Sequence, residues 1–220
     1  MKHIFLINIS KYLVIFFPLF LISGPFFTDL SGTLIGIFTM LFIFLKKKNE
    51  YINNNYFYFF IILFFYINLS SLLAEFPLVS LKSSVSYLRL ILFIFAISFL
   101  VNYFQDLSLK IYQIYFISLF LLLIDSLLIM NFNLNIFGQE VDGSSSRIRS
   151  LFDDEEIMGS FVSRTLPLMI GLSYYFTNKN NTKYNLFLIF IASFLILISG
   201  ERTALGNFLI FLFFYFILER

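Results

Sequence analysis

Apolar residues run along this chain in long uninterrupted stretches, separated by short polar breaks. They show no period-two alternation of the kind a half-buried strand would need. A bilayer core of about 30 Å is crossed by roughly 20 apolar residues of helix. The stretches that fit are Tyr12–Phe27, Leu30–Leu45, Tyr56–Leu73, Val85–Tyr103, Ile111–Met130, Ile157–Phe176, Asn185–Ser199 and Thr203–Leu218. The pattern predicts an all-α, polytopic integral membrane protein of about eight transmembrane helices. It shows no internal repeat and no soluble domain. The first stretch follows Met1-Lys2-His3 as a signal peptide would. Its apolar run is long, however, Pro18 interrupts it and no small-x-small cleavage site follows, so it reads as a retained anchor.

Composition agrees. Hydrophobic residues make up 60% of the chain and charged residues 13%, and Phe alone occurs 34 times in 220 residues. A soluble domain of this length could not bury that surface, so a lipid bilayer is the first partner the sequence demands. The absence of cysteine excludes a disulfide framework and a thiolate metal site. A net charge of +2 calls for no nucleic acid. The abundance of Phe, Ile, Asn, Lys and Tyr points to an AT-rich, bacterial genome.

The lysines give an orientation. With the N-terminus inside, eight spans place Lys2, Lys11, Lys46, Lys47, Lys48, Lys110, Lys179 and Lys183 on the cytoplasmic side and only Lys82 outside. This follows the positive-inside rule and puts both termini in the cytoplasm. The arginines do the opposite. Arg89, Arg147, Arg149, Arg164 and Arg202 fall in outer loops or in the outer parts of spans, as do most acids. Orientation does not require guanidinium groups there, so chemistry is the alternative.

Two segments concentrate these charges. In "LISGERTAL", Glu201 and Arg202 stand between two apolar runs. Asn185 to Leu218 is 34 residues, about 51 Å of helix, so the chain must break, and Ser199-Gly200 is the natural place. One reading is a helical hairpin whose turn is charged so that it stays at the interface. The other notes that Glu201 and Arg202 open the next helix, whose free N–H groups favour anions, and that a guanidinium grips phosphate with two parallel hydrogen bonds. The second segment is "RIRSLFDDEEIMGSFVSRTLPL". There Asp153 suits an N-cap, and the acids Asp153 to Glu156 suit a helix first turn. Those roles leave Arg164 unexplained. An arginine at membrane depth lines a polar cavity or pairs with a partner, and Pro167 just beyond it would kink the helix. Arg89 and Asp125 can snorkel to the interface, or Asp125 can pair with an arginine. The single histidine, His3, lies at the cytoplasmic end, and no cluster suits a metal.

The order and spacing of "IDSLLIMNFNLNIFG", "RIRSLFDDEEIMGSFVSRTLPL" and "LILISGERTAL" resemble the core of the O-antigen ligase and O-antigen polymerase family of bacterial inner-membrane proteins. The resemblance runs from about Asp125 to Leu205; the flanking spans match only in hydrophobic layout. It implies a metal-free and cofactor-free glycosyltransferase of ten to twelve spans, acting on the periplasmic face. The donor would be a glycan on undecaprenyl diphosphate, and the acceptor lipid A-core or another glycan. The family's arginine before the sixth span corresponds to Arg147 or Arg149, the Ser-Arg within it to Arg164, and the Ser-Gly-x-Arg turn to Arg202.

On this reading Arg202, Arg164 and Glu201 are catalytic. Arg147, Arg149, Arg164, Arg202 and Arg89 bind the diphosphate, with Asp125, Asp153 and Glu156 supporting. Guanidiniums suit the charge that builds on a departing diphosphate, and an acceptor hydroxyl also needs a base. In the family a large periplasmic loop with a histidine follows, whereas this chain ends at Glu219-Arg220. Residues 1–220 are therefore expected to be one transmembrane domain, the N-terminal part of a longer protein. The alternative is a transporter or flippase of an anionic lipid-linked substrate, which would need arginines along a whole transmembrane path.

Overall fold

The computed structural model describes residues 2–46, 55–140, 148–152, 156–176 and 182–218. Eight α-helices lie within them: α1 Lys2–Ile22, α2 Pro25–Leu45, α3 Asn55–Leu72, α4 Pro77–Tyr103, α5 Leu107–Phe132, α6 Met158–Phe176, α7 Thr182–Ser199 and α8 Arg202–Leu218. A single 3-10 turn, Ser150–Phe152, precedes α6. The all-helical expectation holds for the described residues. Five helices, α1 to α5, are long and apolar enough to cross a membrane. α7 and α8 are apolar but shorter, and α6 is diluted by Arg164, Pro167 and three serines. Among the described residues, five helices meet both criteria of length and apolarity, against the eight spans expected.

Proline and glycine set two boundaries that hydropathy misplaced. The first helix ends at Ile22 rather than Phe27, and it runs through Pro18 without interruption. Gly24 then adopts φ +112° and Pro25 opens α2. That backbone suits only glycine, and a proline in a helix's first turn has no N–H to lose. α4 likewise starts at Pro77, eight residues before Val85. Lys82 and four serines hide this stretch from a hydropathy reading, yet Ser83, Ser84 and Ser86 return their hydroxyls to backbone carbonyls within the helix. Arg89 is therefore twelve residues past the start of α4, about 18 Å along it, rather than one turn in.

The chain divides into two compact units: Met1–Phe17 with Pro25–Leu107, and Pro18–Gly24 with Ser108–Arg220. In the first, α4 packs on α2 and α3. Gly36 makes the α2 approach possible, since a Cβ there would meet Leu92 Cβ at 2.9 Å. Rings fill the remaining space, among them Phe42 against Phe99 and Phe57 against Phe95. Ser84 on α4 donates to Asn68 Oδ1 on α3 at 2.9 Å. α3 buries none of its residues. Such an apolar helix, in contact with α4 yet with no residue fully buried, suits a lipid surrounding.

The second unit has the larger core. Leu119 and Leu122 of α5, Val162, Leu166 and Met169 of α6, Leu188, Ala192 and Leu195 of α7, and Ala204 of α8 join in one buried cluster. α6 sits at its centre, packed against both α7 and α8. The candidate site is built on its N-terminal end.

Candidate functional site

The break between α7 and α8 falls where the sequence placed it. α7 ends at Ser199, Gly200 takes φ +66°, and α8 begins at Arg202. Glu201, between them, is buried with 7% of its surface exposed. Its carboxylate does not face an arginine. Oε1 accepts the Gly159 N–H at 2.7 Å, and Oε2 accepts the Ser160 N–H at 3.0 Å and the Ser160 hydroxyl at 2.5 Å.

These two amides are the second and third of α6. They are the orphan donors that an Asp, Asn, Ser or Thr at the N-cap normally satisfies. Ile157 holds the N-cap position, its carbonyl accepting the Phe161 N–H, and its side chain offers no acceptor. Glu201 therefore caps α6 from the α7–α8 turn, 41 residues along the chain from Ser160. This corrects the expectation that the run Asp153–Glu156 supplies the first-turn acids. α6 starts at Met158 and has no acid in its first turn. Asp153 itself lies outside the described residues.

Close approach makes this latch possible. A Cβ on Gly159 would land on Ser199 Oγ, 3.1 Å from Ala204 Cβ and 3.2 Å from Glu201 Oε1. Only glycine lets the start of α6 lie against the α7–α8 turn. Ser199 is buried and its hydroxyl also accepts the Glu201 N–H at 3.3 Å, which fixes the turn from within.

Two arginines stand near the latch in the chain. Arg202 adjoins Glu201, while Arg164 lies four residues past Ser160, on the same stripe of α6 and about 6 Å further along it. Both side chains are exposed, and neither forms an ion pair among the described residues. Arg149 is half-buried and paired with Glu156 at 3.7 Å. Arg147 lies outside the described residues.

Asp125 is fully buried in α5 and also makes no ion pair among the described residues. Its oxygens accept the Ile136 N–H at 2.7 Å and the Ser150 hydroxyl at 2.6 Å. It thus ties two loop segments to the helix. Ser150 takes φ +53°, a conformation that disfavours a side chain, and the Asp125 bond holds it there beside Arg149. Next to Asp125, Ser126 donates to Met158 Sδ at the first residue of α6, at 3.4 Å.

Arg89 belongs to the first unit. Its guanidinium meets Asp29 of α2 at 2.7 Å, beside a small cavity lined by Thr28, Gly32, Thr33 and Phe93. The structure thus sets Glu201 on the start of α6, gives Asp125 neutral donors in place of an arginine, and gives Arg89 a partner of its own.

Gly159, Ser160 and Ser150 escaped the sequence reading. A Gly-Ser pair opening a helix whose N-cap is isoleucine was the available signal. Such a helix has unsatisfied N–H groups and room for an outside acceptor. No group of three or more His, Cys, Asp or Glu side chains suited to a metal occurs among the described residues. Comparison of the chain with protein-family models, curated proteins and solved structures finds no match.

Proposed function

We propose that the chain is a membrane glycosyltransferase of the O-antigen ligase or polymerase type. It takes a glycan from a lipid-linked diphosphate donor and passes it to a hydroxyl acceptor. The reaction is placed on the membrane face opposite the lysine-rich side, the periplasmic face of a bacterial inner membrane. One observation carries the reading: Glu201, the neighbour of Arg202, caps α6 at Ser160, four residues before Arg164, and no carboxylate pairs either guanidinium among the described residues. A neutralised pair would serve structure alone. Two exposed, unneutralised guanidiniums on apolar helices call for an anion.

In the proposed reaction the bond from the anomeric carbon to the diphosphate oxygen breaks, and the acceptor oxygen bonds to that carbon. The acceptor's proton leaves to a base. Negative charge grows on the departing diphosphate, and Arg164 and Arg202 stabilise it there. Arg149 is engaged by Glu156, and Arg147, beside it in sequence, is the remaining candidate for the diphosphate. Glu201 positions Arg202 through the α6 cap, and Asp125 positions Arg149 through Ser150. Arg89 is left out of this set, because its guanidinium rests on Asp29.

Arg202→Ala tests the reading. Gly200 keeps the turn and Glu201 keeps the cap, so membrane abundance should be unchanged. Transfer should fall by about 100-fold or more, as when one transition-state contact is lost. Arg202→Lys should also be poor, because an ammonium lacks the two-pronged grip. The assay is the surface-polysaccharide ladder of a host strain whose own copy of the gene has been deleted. Normal ladders from the alanine variant at normal abundance would reduce Arg202 to an interfacial turn residue.

A further inference from the structure

A second feature of the same unit has no part in that chemistry. The first turns of α5 and α7 enclose a groove of about 530 Å³, lined by Tyr112, Gln113, Phe116, Ile117, Tyr184 and Phe187. Apart from Gln113 and the two phenol hydroxyls, its walls are hydrocarbon and aromatic rings. The groove can hold several methylenes of a chain or the side chains of another helix.

The charges at its mouth choose between these. Lys110 stands three and seven residues before Gln113 and Ile117, so it heads the stripe of α5 that lines one wall. Lys183 stands four residues before Phe187 and heads the corresponding stripe of α7. Side chains on a helix lean toward its N-terminus, so both ammonium groups extend beyond the aromatic walls, while their stems cover apolar surface. Both lysines are exposed, and neither forms an ion pair among the described residues. Asp106, four residues before Lys110, is the nearest acid in sequence and makes no ion pair among them either. The two helix N-termini add positive partial charge at the same end. Tyr112 and Tyr184 also line the groove, and phenol rings favour the zone between headgroups and chains.

We propose that this groove binds one anionic phospholipid, an acyl chain lying along Phe116, Ile117 and Phe187 and the headgroup phosphate held between Lys110 and Lys183. A zwitterionic lipid brings a cation to the same place and gains less. A second protein chain would meet two uncompensated ammonium groups at the rim. The site lies at the lysine-rich end, where the orientation read from the sequence puts the anionic cytoplasmic leaflet. It does not depend on the donor site.

Native mass spectrometry of the purified chain in detergent, titrated with phosphatidylglycerol and then phosphatidylcholine, tests this. The wild type should retain one phosphatidylglycerol in preference to phosphatidylcholine. Lys110→Gln and Lys183→Gln should each reduce that preference about fivefold, the effect of one lysine near an anionic surface. Both positions are exposed, so both variants should fold. Phe187→Ala should weaken both lipids alike and leave their ratio unchanged. Equal retention of the two lipids, or a preference the lysine variants leave intact, overturns the proposal. So does a dimer that forms without lipid and is broken by Phe187→Ala, which would make the groove a contact between copies.

Discussion

Replacing Glu201 by alanine removes the side chain that caps α6 among the described residues. The carboxylate accepts two backbone N–H groups and one hydroxyl. Hydrogen bonds to a charged acceptor contribute about 1.5–3 kcal/mol each, and a buried N–H left without a partner costs about 1–3 kcal/mol. The hydroxyl of Ser160 can rotate toward another acceptor, whereas the amides cannot. The gross loss over the two amides is therefore about 3–6 kcal/mol. Part of this is returned, because alanine ends the desolvation of a carboxylate that has no cationic partner among the described residues. A net destabilisation of about 2–4 kcal/mol remains, which in a chain of this length lowers the melting temperature by roughly 5–15 °C. Glu201→Gln keeps one carbonyl oxygen but points an NH2 at a donor, and should fall between alanine and the wild type. Melting in detergent at a fixed scan rate gives the ordering, and amide hydrogen exchange gives the location: Gly159 and Ser160 should exchange faster in both variants. An alanine variant that melts within about 1 °C of the wild type, with unchanged exchange at these amides, would refute the capping argument.

Other variants probe the same unit. Gly159→Ala should destabilise by about 1–3 kcal/mol, because its methyl group meets Ser199 and Ala204. In the same helix, Gly171→Ala meets nothing within 4 Å and should stabilise by about 0.5–1 kcal/mol, so a paired melt separates contact from helix propensity. At Ser150 the order should invert ordinary expectation. Ser150→Ala loses the Asp125 bond and keeps the unfavourable φ, costing about 1–3 kcal/mol, whereas Ser150→Gly loses the bond but relieves the backbone and should be nearly neutral in the same melt.

Long apolar runs made the helices legible, since hydropathy needs no partner to be read. The break at Ser199-Gly200 was legible too, because 34 apolar-rich residues exceed any bilayer. Boundaries at Gly24-Pro25 and Pro77 were not read, although the residues announce them, because serines and a lysine lowered the apparent hydropathy around the second. Glu201 was singled out as a site residue, but its use as a helix cap was not anticipated. Local spacing suggested Asp153 to Glu156 as caps, since caps usually come from the preceding residues. The acceptor that occupies α6 comes instead from a distant turn, and only the absence of a side-chain acceptor at Ile157 hinted at that. Asp125 was left between snorkelling to the interface and pairing with an arginine, whereas a loop amide and a hydroxyl, invisible to charge counting, took its oxygens.

The cap on α6 also constrains the order in which the protein can be made. When α6 leaves the ribosome its first amides have no acceptor, and it is the least apolar of the helices, with Arg164 within it. Its partner residue follows 41 positions later, which at about 5–20 residues per second is a delay of roughly 2–8 s. Through that interval α6 must wait in the insertion machinery or at the membrane surface. The α7–α8 turn thus completes a helix that precedes it in the chain.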